Sequence, residues 1–122
     1  MPPFFSVIIP TYNSENFIIE TLDSVMNQSY KNFEIIISDD GSTDQTIDKI
    51  EEIFNHHHFV NNKIIINKHK GPGNARNKAI HNSSGHWVSF LDSDDLWRFD
   101  KLEKVFRMIQ TDNNINYLEY LC

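Results

Sequence analysis

Phe33-Glu34-Ile35-Ile36-Ile37-Ser38-Asp39-Asp40-Gly41-Ser42 contains the pattern on which the fold turns. A β-branched run with no polar alternation ends at two acidic residues and a glycine, and a helix signal follows at once. β-branched side chains fit a pleated surface. A strand without alternation is covered on both faces, as in parallel sheets. Gln45 stands three positions after Ser42, the spacing of a capping box, so a helix is expected to start at Ser42. Ile47, Ile50, Ile53 and Phe54 then recur at helical spacing.

The same unit repeats on either side. Phe5 to Ile9 reads as a first strand, and Ser14 to Gln28 as a helix with Ile18, Leu22, Val25 and Met26 on one face. Lys63 to Asn67 is a third strand. Gly71-Pro72-Gly73 breaks the chain before a short helix from Asn74 to His81, in which Ala75 and Ala79 allow close packing on the sheet. Gly85 ends it, His86 to Leu91 is a fourth strand, and Leu102, Val105, Phe106 and Ile109 mark a closing helix. Alternating strands and helices predict an α/β fold, a mostly parallel, Rossmann-like sheet sandwiched by helices. Right-handed crossovers then put every strand's carboxyl end on one rim, where such sheets bind ligands. The strands are followed there by Pro10-Thr11-Tyr12-Asn13, Asp39-Asp40-Gly41-Ser42, Lys68-His69-Lys70-Gly71 and Asp92-Ser93-Asp94-Asp95. The unusual polar chemistry of the chain all falls on that rim.

Composition sets the outer bounds. The chain has 122 residues, 39% hydrophobic and 23% charged, enough for one domain with a real core. A formal net charge of −6 argues against nonspecific nucleic-acid binding, which needs a basic surface. The single cysteine, Cys122, supports neither a disulfide framework nor a thiolate metal cluster and suits a reducing compartment. No apolar run approaches a membrane span, and the apolar start reads as a buried strand rather than a signal peptide. A cytoplasmic location is expected, with peripheral association at the inner face of the membrane left open. The segment from Thr111 to Cys122 carries an apolar run that fits a fifth strand or a short packed end.

Phe90-Leu91-Asp92-Ser93-Asp94-Asp95 sets three carboxylates within four positions at a strand end. In extended backbone Asp92 and Asp94 share a face and repel unless a cation lies between them. Hard oxygen ligands suit Mg2+ or Mn2+ better than zinc. The competing reading is a solvated acidic turn, or a helix N-cap at Asp94 and Asp95. His56-His57-His58 cannot converge on one ion from neighbouring helix positions and read as a solvated helix end. His69 lies on the rim within reach of a phosphate, but as a lone loop histidine it carries little weight. Trp87 and Trp97 read as packing residues.

Four blocks in order and in spacing resemble the family 2 glycosyltransferases, enzymes of the A-type (GT-A) fold. They are Ser6-Val7-Ile8-Ile9-Pro10-Thr11-Tyr12-Asn13, Ser38-Asp39-Asp40-Gly41-Ser42-Thr43-Asp44, Gly73-Asn74-Ala75-Arg76-Asn77 and the aspartate run. The resemblance spans residues 5 to 110 and implies the nucleotide-sugar-binding (donor) half of such a domain over 1–122, binding a UDP-sugar with Mn2+ or Mg2+. It places Pro10, Thr11 and Tyr12 along base and ribose, and favours Asp40 over Asp39 as acceptor for the uracil N–H. Arg76 has two open partners, a phosphate or a carboxylate. Asp94 of the D-x-D element is the expected metal ligand, and Asp92 a contact to ribose or a metal-bound water that also supports the metal. Ser42 and Asp44 are expected mainly to cap the second helix.

The resemblance further implies an inverting transfer to a glycan or lipid-linked acceptor in polysaccharide biosynthesis. The general base and acceptor half are expected beyond residue 122, so little turnover is expected from this chain alone. Self-association through an exposed sheet edge is a further expectation. Two other classes stay open: a non-catalytic nucleotide-sugar-binding module, and a receiver-type phosphoacceptor domain. The last expects its acidic pair after the first strand, where this chain has Thr11-Tyr12-Asn13.

Overall fold

The computed structural model describes residues 3–57 and 60–111, so His58 and the apolar tail lie outside the described residues. Strands β1 (Phe5–Thr11), β2 (Phe33–Asp39), β3 (Asn62–Ile66) and β4 (Trp87–Phe90) alternate with helices α1 (Ile18–Met26), α2 (Thr46–His56), α3 (Pro72–His81) and α4 (Lys101–Thr111). The strands form one parallel sheet in the order β3-β2-β1-β4. The chain builds outward from β1 through β2 to β3, then crosses back to lay β4 on β1's other side. The reversal makes the β1–β4 junction a topological switch point, where strand ends open a crevice.

The two central strands are buried on both faces. On one, Val7, Ile9, Ile35 and Ile37 pack with Ile18, Leu22 and Val25 of α1, Ile50 and Phe54 of α2, and Leu102 of α4. On the other, Ile8 and Ile36 meet Ala79 of α3. Ala75 and Ala79 are fully buried, consistent with close approach of that helix. Trp97 joins the main core and Trp87 packs against it.

Full coverage does not extend to the edge. Val88 and Phe90 of β4 remain exposed, because β4 is an outer strand of the described sheet. The second helix also starts later than expected, at Thr46 rather than Ser42. Ser42 turns back toward the strand end instead: its backbone N–H and hydroxyl both donate to the Asp39 carboxylate, at 2.7 and 2.6 Å. No capping box forms. Asp44 does serve the helix start, accepting the Thr46 N–H at 2.9 Å. The third helix begins at Pro72, ahead of Asn74, because proline's fixed φ suits a first helical turn.

Glu34 is the unexpected core residue, a carboxylate with no exposed surface. It accepts hydrogen bonds from the Ser6 hydroxyl at 2.6 Å, the Ser84 N–H at 2.7 Å and the Ser84 hydroxyl at 2.9 Å. Its other oxygen has no hydrogen-bond partner and faces the Lys63 ammonium at 3.7 Å. Burial opposes ionisation, but the hydrogen bonds from Ser6 and Ser84 and the charge of Lys63 outweigh it, and the pKa is lowered from 4.5. A lowered folded-state pKa stabilises the fold above the unfolded value, and that stability is lost as pH falls through the folded value. Glu34→Gln is therefore expected to lower stability at neutral pH by about 1–3 kcal/mol. The gap to wild type should close below pH 4.5, as followed by urea unfolding across pH. A gap that stayed constant into acid would refute the assignment.

Candidate functional site

The carboxyl ends of the strands enclose a cleft of about 630 Å³. Its walls hold every residue the sequence marked for binding: Pro10, Thr11 and Tyr12 after β1, Asp40 after β2, Arg76 on α3, and Asp92 and Asp94 after β4.

The β1 and β2 ends are tied together first. The Thr11 hydroxyl donates to Asp39 at 2.6 Å, and the Asp40 N–H donates to the Thr11 carbonyl at 2.9 Å. Asp39 also receives the Gly41 and Ser42 N–H groups and is nearly inaccessible. Its acceptor capacity is spent on the turn. Asp40 is the carboxylate of the pair that lines the cleft, as preferred from the sequence. It accepts the backbone N–H groups of Lys70 and Gly71 at 2.9 and 3.1 Å, so the 69–71 loop is wrapped around it.

Tyr12 stands beside this carboxylate, 44% exposed. Its ring stacks on His69 with centroids 4.5 Å apart and planes 24° apart. His69 received little weight from the sequence, yet it is a wall of the cleft. Phe17 and Ser14 line it as well and were not singled out. Asn13 adopts φ 48°, a left-handed conformation that asparagine tolerates, and accepts the Thr43 N–H at 2.8 Å.

At the other end, β4 stops at Phe90, so the carboxylates are not gathered by strand alternation. A turn gathers them: the Asp95 N–H donates to the Asp92 carbonyl at 3.0 Å. The turn is pinned to the start of the first helical segment, since the Ser93 and Ser14 hydroxyls lie 2.6 Å apart and the Thr21 hydroxyl donates to the Ser93 carbonyl at 2.9 Å. Asp92, Asp94 and Asp95 each bring an oxygen within 4.8 Å of the others, all exposed. Asp95 caps no helix, because α4 starts only at Lys101. The Arg76 guanidinium lies 3.6 Å from Asp92, so of its two open partners the carboxylate is the one it meets here. An all-carboxylate oxygen set without thiolate or imidazole fits a hard divalent cation such as Mg2+ or Mn2+.

His56 and His57 do not line the cleft. His56 and His57, at the end of α2, each direct Nδ1 to a carbonyl one turn back, at 2.8 and 2.9 Å. Among the described residues, no helix is long and apolar enough to cross a membrane.

The family model for glycosyl transferase family 2 matches residues 6–119. The chain is 39% identical over 114 residues to WfgD of Escherichia coli, a UDP-Glc:alpha-D-GlcNAc-diphosphoundecaprenol beta-1,3-glucosyltransferase, covering 93% of this chain and 43% of that protein. Its fold matches S. aureus TarS 1-349 in complex with UDP-GlcNAc at a TM-score of 0.81 and 38% identity, over 88% of this chain and 31% of that one. It also matches the mannosyltransferase PcManGT of Pyrobaculum calidifontis, solved with GDP-Man and Mn2+, at a TM-score of 0.83 and 28% identity, over 89% and 33%. The sheet and its helices have the GT-A fold of these enzymes. The chain thus spans less than half the length of each of these relatives.

Gly71 is the backbone device that lets the 69–71 loop reach Asp40. It sits at φ 99°, ψ 164°, a region essentially confined to glycine. A Cβ there would meet nothing within 4 Å, so any substitution cost is conformational rather than steric. Gly71→Ala is expected to cost about 1–3 kcal/mol in denaturant unfolding, and Gly71→Asn should not rescue it. Wild-type stability in either variant would refute this assignment.

Proposed function

This chain belongs to glycosyl transferase family 2, and from that membership we propose that its cleft binds a nucleotide sugar, a UDP-sugar foremost, with a divalent cation. The observation that carries the proposal is the pairing of two unlike ends in one cleft. An exposed aromatic ring beside a tethered carboxylate lies at one end, and converging carboxylates lie at the other. A nucleoside diphosphate has the complementary sequence of groups: a flat base with an imino N–H, a ribose, and a diphosphate that needs a cation.

Tyr12 offers its ring to the base, and Asp40 accepts the imino N–H, a donor that uracil has and cytosine lacks. Gly71 and Lys70 orient that carboxylate through their N–H groups. Pro10 and Thr11 form the floor along base and ribose. Asp94 is the direct cation ligand, with Asp92 supporting it or reaching the ribose. Arg76 lies 3.6 Å from Asp92 and lines the same cleft, where it would be available to a phosphate if a cation took over the pairing. A bound Mn2+ or Mg2+ would supply Lewis-acid stabilisation of the departing diphosphate. The chain's own groups bind, orient and screen the donor.

The wider reaction is an inverting transfer of the sugar to a glycan or lipid-linked acceptor in polysaccharide biosynthesis. The UDP-sugars named for WfgD and TarS support a uridine nucleotide, and the mannosyltransferase complex, whose donor is GDP-Man, supports the cation through its Mn2+. Residues 1–122 take the donor side in this reading, and the acceptor site and general base are assigned to sequence outside this chain.

Calorimetric titration with UDP, GDP and CDP, each with and without Mn2+, tests the proposal. We expect UDP to bind with Kd on the order of micromolar to millimolar and CDP to bind more weakly by tenfold or so. Asp94→Ala should remove the Mn2+-dependent part of the affinity while leaving unfolding unchanged, because Asp94 is exposed. Absence of metal-dependent binding to every nucleoside diphosphate would exclude this function.

A further inference from the structure

His69 makes, within the chain, the contacts just assigned to the nucleobase. Its ring stacks on Tyr12 with centroids 4.5 Å and planes 24° apart. Its Nδ1 lies 3.0 Å from Asp40 Oδ2 and 3.1 Å from the Asp40 carbonyl oxygen. Both atoms facing Nδ1 are acceptors, so Nδ1 carries a proton and donates it. A flat nitrogen heterocycle thus lies on Tyr12 and gives an N–H to Asp40.

Two flat rings stack at about 3.5 Å between planes, and a centroid separation of 4.5 Å with near-parallel planes leaves no room for a third ring between them. Asp40 is also near the limit of its acceptor capacity. It already holds three donors: Lys70 N–H on Oδ1, Gly71 N–H shared between Oδ1 and Oδ2, and His69 on Oδ2. A base that stacks on the Tyr12 face covered by His69 and donates to Asp40 Oδ2 must therefore displace His69. The imidazole can yield both contacts at modest cost, because its side chain is 63% exposed and water can satisfy Nδ1 after it swings out.

We propose that His69 is an intramolecular surrogate for the nucleobase, taking the base's place on Tyr12 and Asp40 and leaving when a nucleotide binds. The proposal rests on the nucleotide reading above and adds a competitor to it. His69 keeps Tyr12 and Asp40 in their binding positions and keeps bulk water off the carboxylate. It also raises the affinity threshold: a ligand must replace both a stacking contact and a hydrogen bond before it gains anything. The alternative role is a fixed platform, with the base stacking on the outer face of His69 and the imidazole staying in place.

The two roles predict opposite effects. UDP with Mn2+ would be titrated into the whole chain and into His69→Ala and His69→Phe. A surrogate that yields one stack and one hydrogen bond should cost about three- to tenfold in affinity, so His69→Ala should bind UDP that much more tightly than wild type. His69→Phe keeps the stack without the N–H donor and should fall between them. Imidazole 15N NMR of the wild type gives a readout that does not depend on any variant folding. The Nδ1 resonance should move from its hydrogen-bonded position toward that of a solvated imidazole as UDP saturates. UDP binding to wild type with equal or weaker binding to His69→Ala, or with an unmoved Nδ1 resonance, would overturn the surrogate role and leave the nucleotide site standing. No UDP binding to any of the three proteins would overturn both.

Discussion

Strand β1 is hydrogen-bonded on both sides, to β2 from Phe5 to Thr11 and to β4 from Phe5 to Ile8. A strand in that position cannot expose its backbone to water, so its side chains must suit apolar layers above and below. Val7, Ile8 and Ile9 do so, with no accessible surface on any of them. Because both neighbours run parallel to β1, each must be reached by a crossover, and each crossover returns the chain to the same end. The cleft follows from this arrangement. Its walls are what the chain does on leaving the carboxyl ends of β1, β2, β3 and β4.

The rim carboxylates divide into two electrostatic classes. Asp39 and Asp40 are almost inaccessible and are held by backbone N–H groups, Thr11 and Ser42 hydroxyls, and His69. Asp39 is thereby a rigid strut of the turn, while Asp40 is fixed by the Lys70 and Gly71 N–H groups and shares its other oxygen with His69. Asp92, Asp94 and Asp95 are exposed, close together and faced by the Arg76 guanidinium. Like charges brought that close are relieved by a cation or a cationic side chain. On one half of the rim the carboxylates are thus met by groups of the chain on several sides, and on the other Asp92 is met by Arg76. Glu34, at the opposite end of β2, shows that the same sheet also buries a carboxylate for packing alone, once Ser6, Ser84 and Lys63 surround it.

Much of this was legible along the chain because it depends on period and spacing. The apolar runs of β1 and β2 allow only a doubly covered strand, and the stripe of Ile47, Ile50 and Phe54 allows only a helix. It was the resemblance of four segments to the family 2 glycosyltransferases that marked Tyr12, Asp40, Arg76, Asp92 and Asp94 as one group. The errors came where a side chain had two local partners to choose between. Ser42 had the spacing of a cap, but Asp39 lies nearer and offers a charged acceptor, so the helix starts later. Asp92 and Asp94 were expected to share a strand face, yet a turn gathers them because β4 ends at Phe90.

The sequence by itself determined the alternation of elements, the parallel sheet and the residues that reach its rim, since these follow from hydrophobic period and from chain-local turn chemistry. Only the tertiary structure decided which rim groups remain available. Asp39 is consumed by Thr11 and Ser42, Asp40 is wrapped by a loop about thirty residues away, and Arg76 is turned to Asp92. His69 carried little weight as a lone loop histidine until the fold brought it onto Tyr12 and Asp40. Spacing governs what a residue can reach within a few positions. Competition for a shared carboxylate is settled by distances between segments far apart in the chain, and those exist only once the sheet has formed.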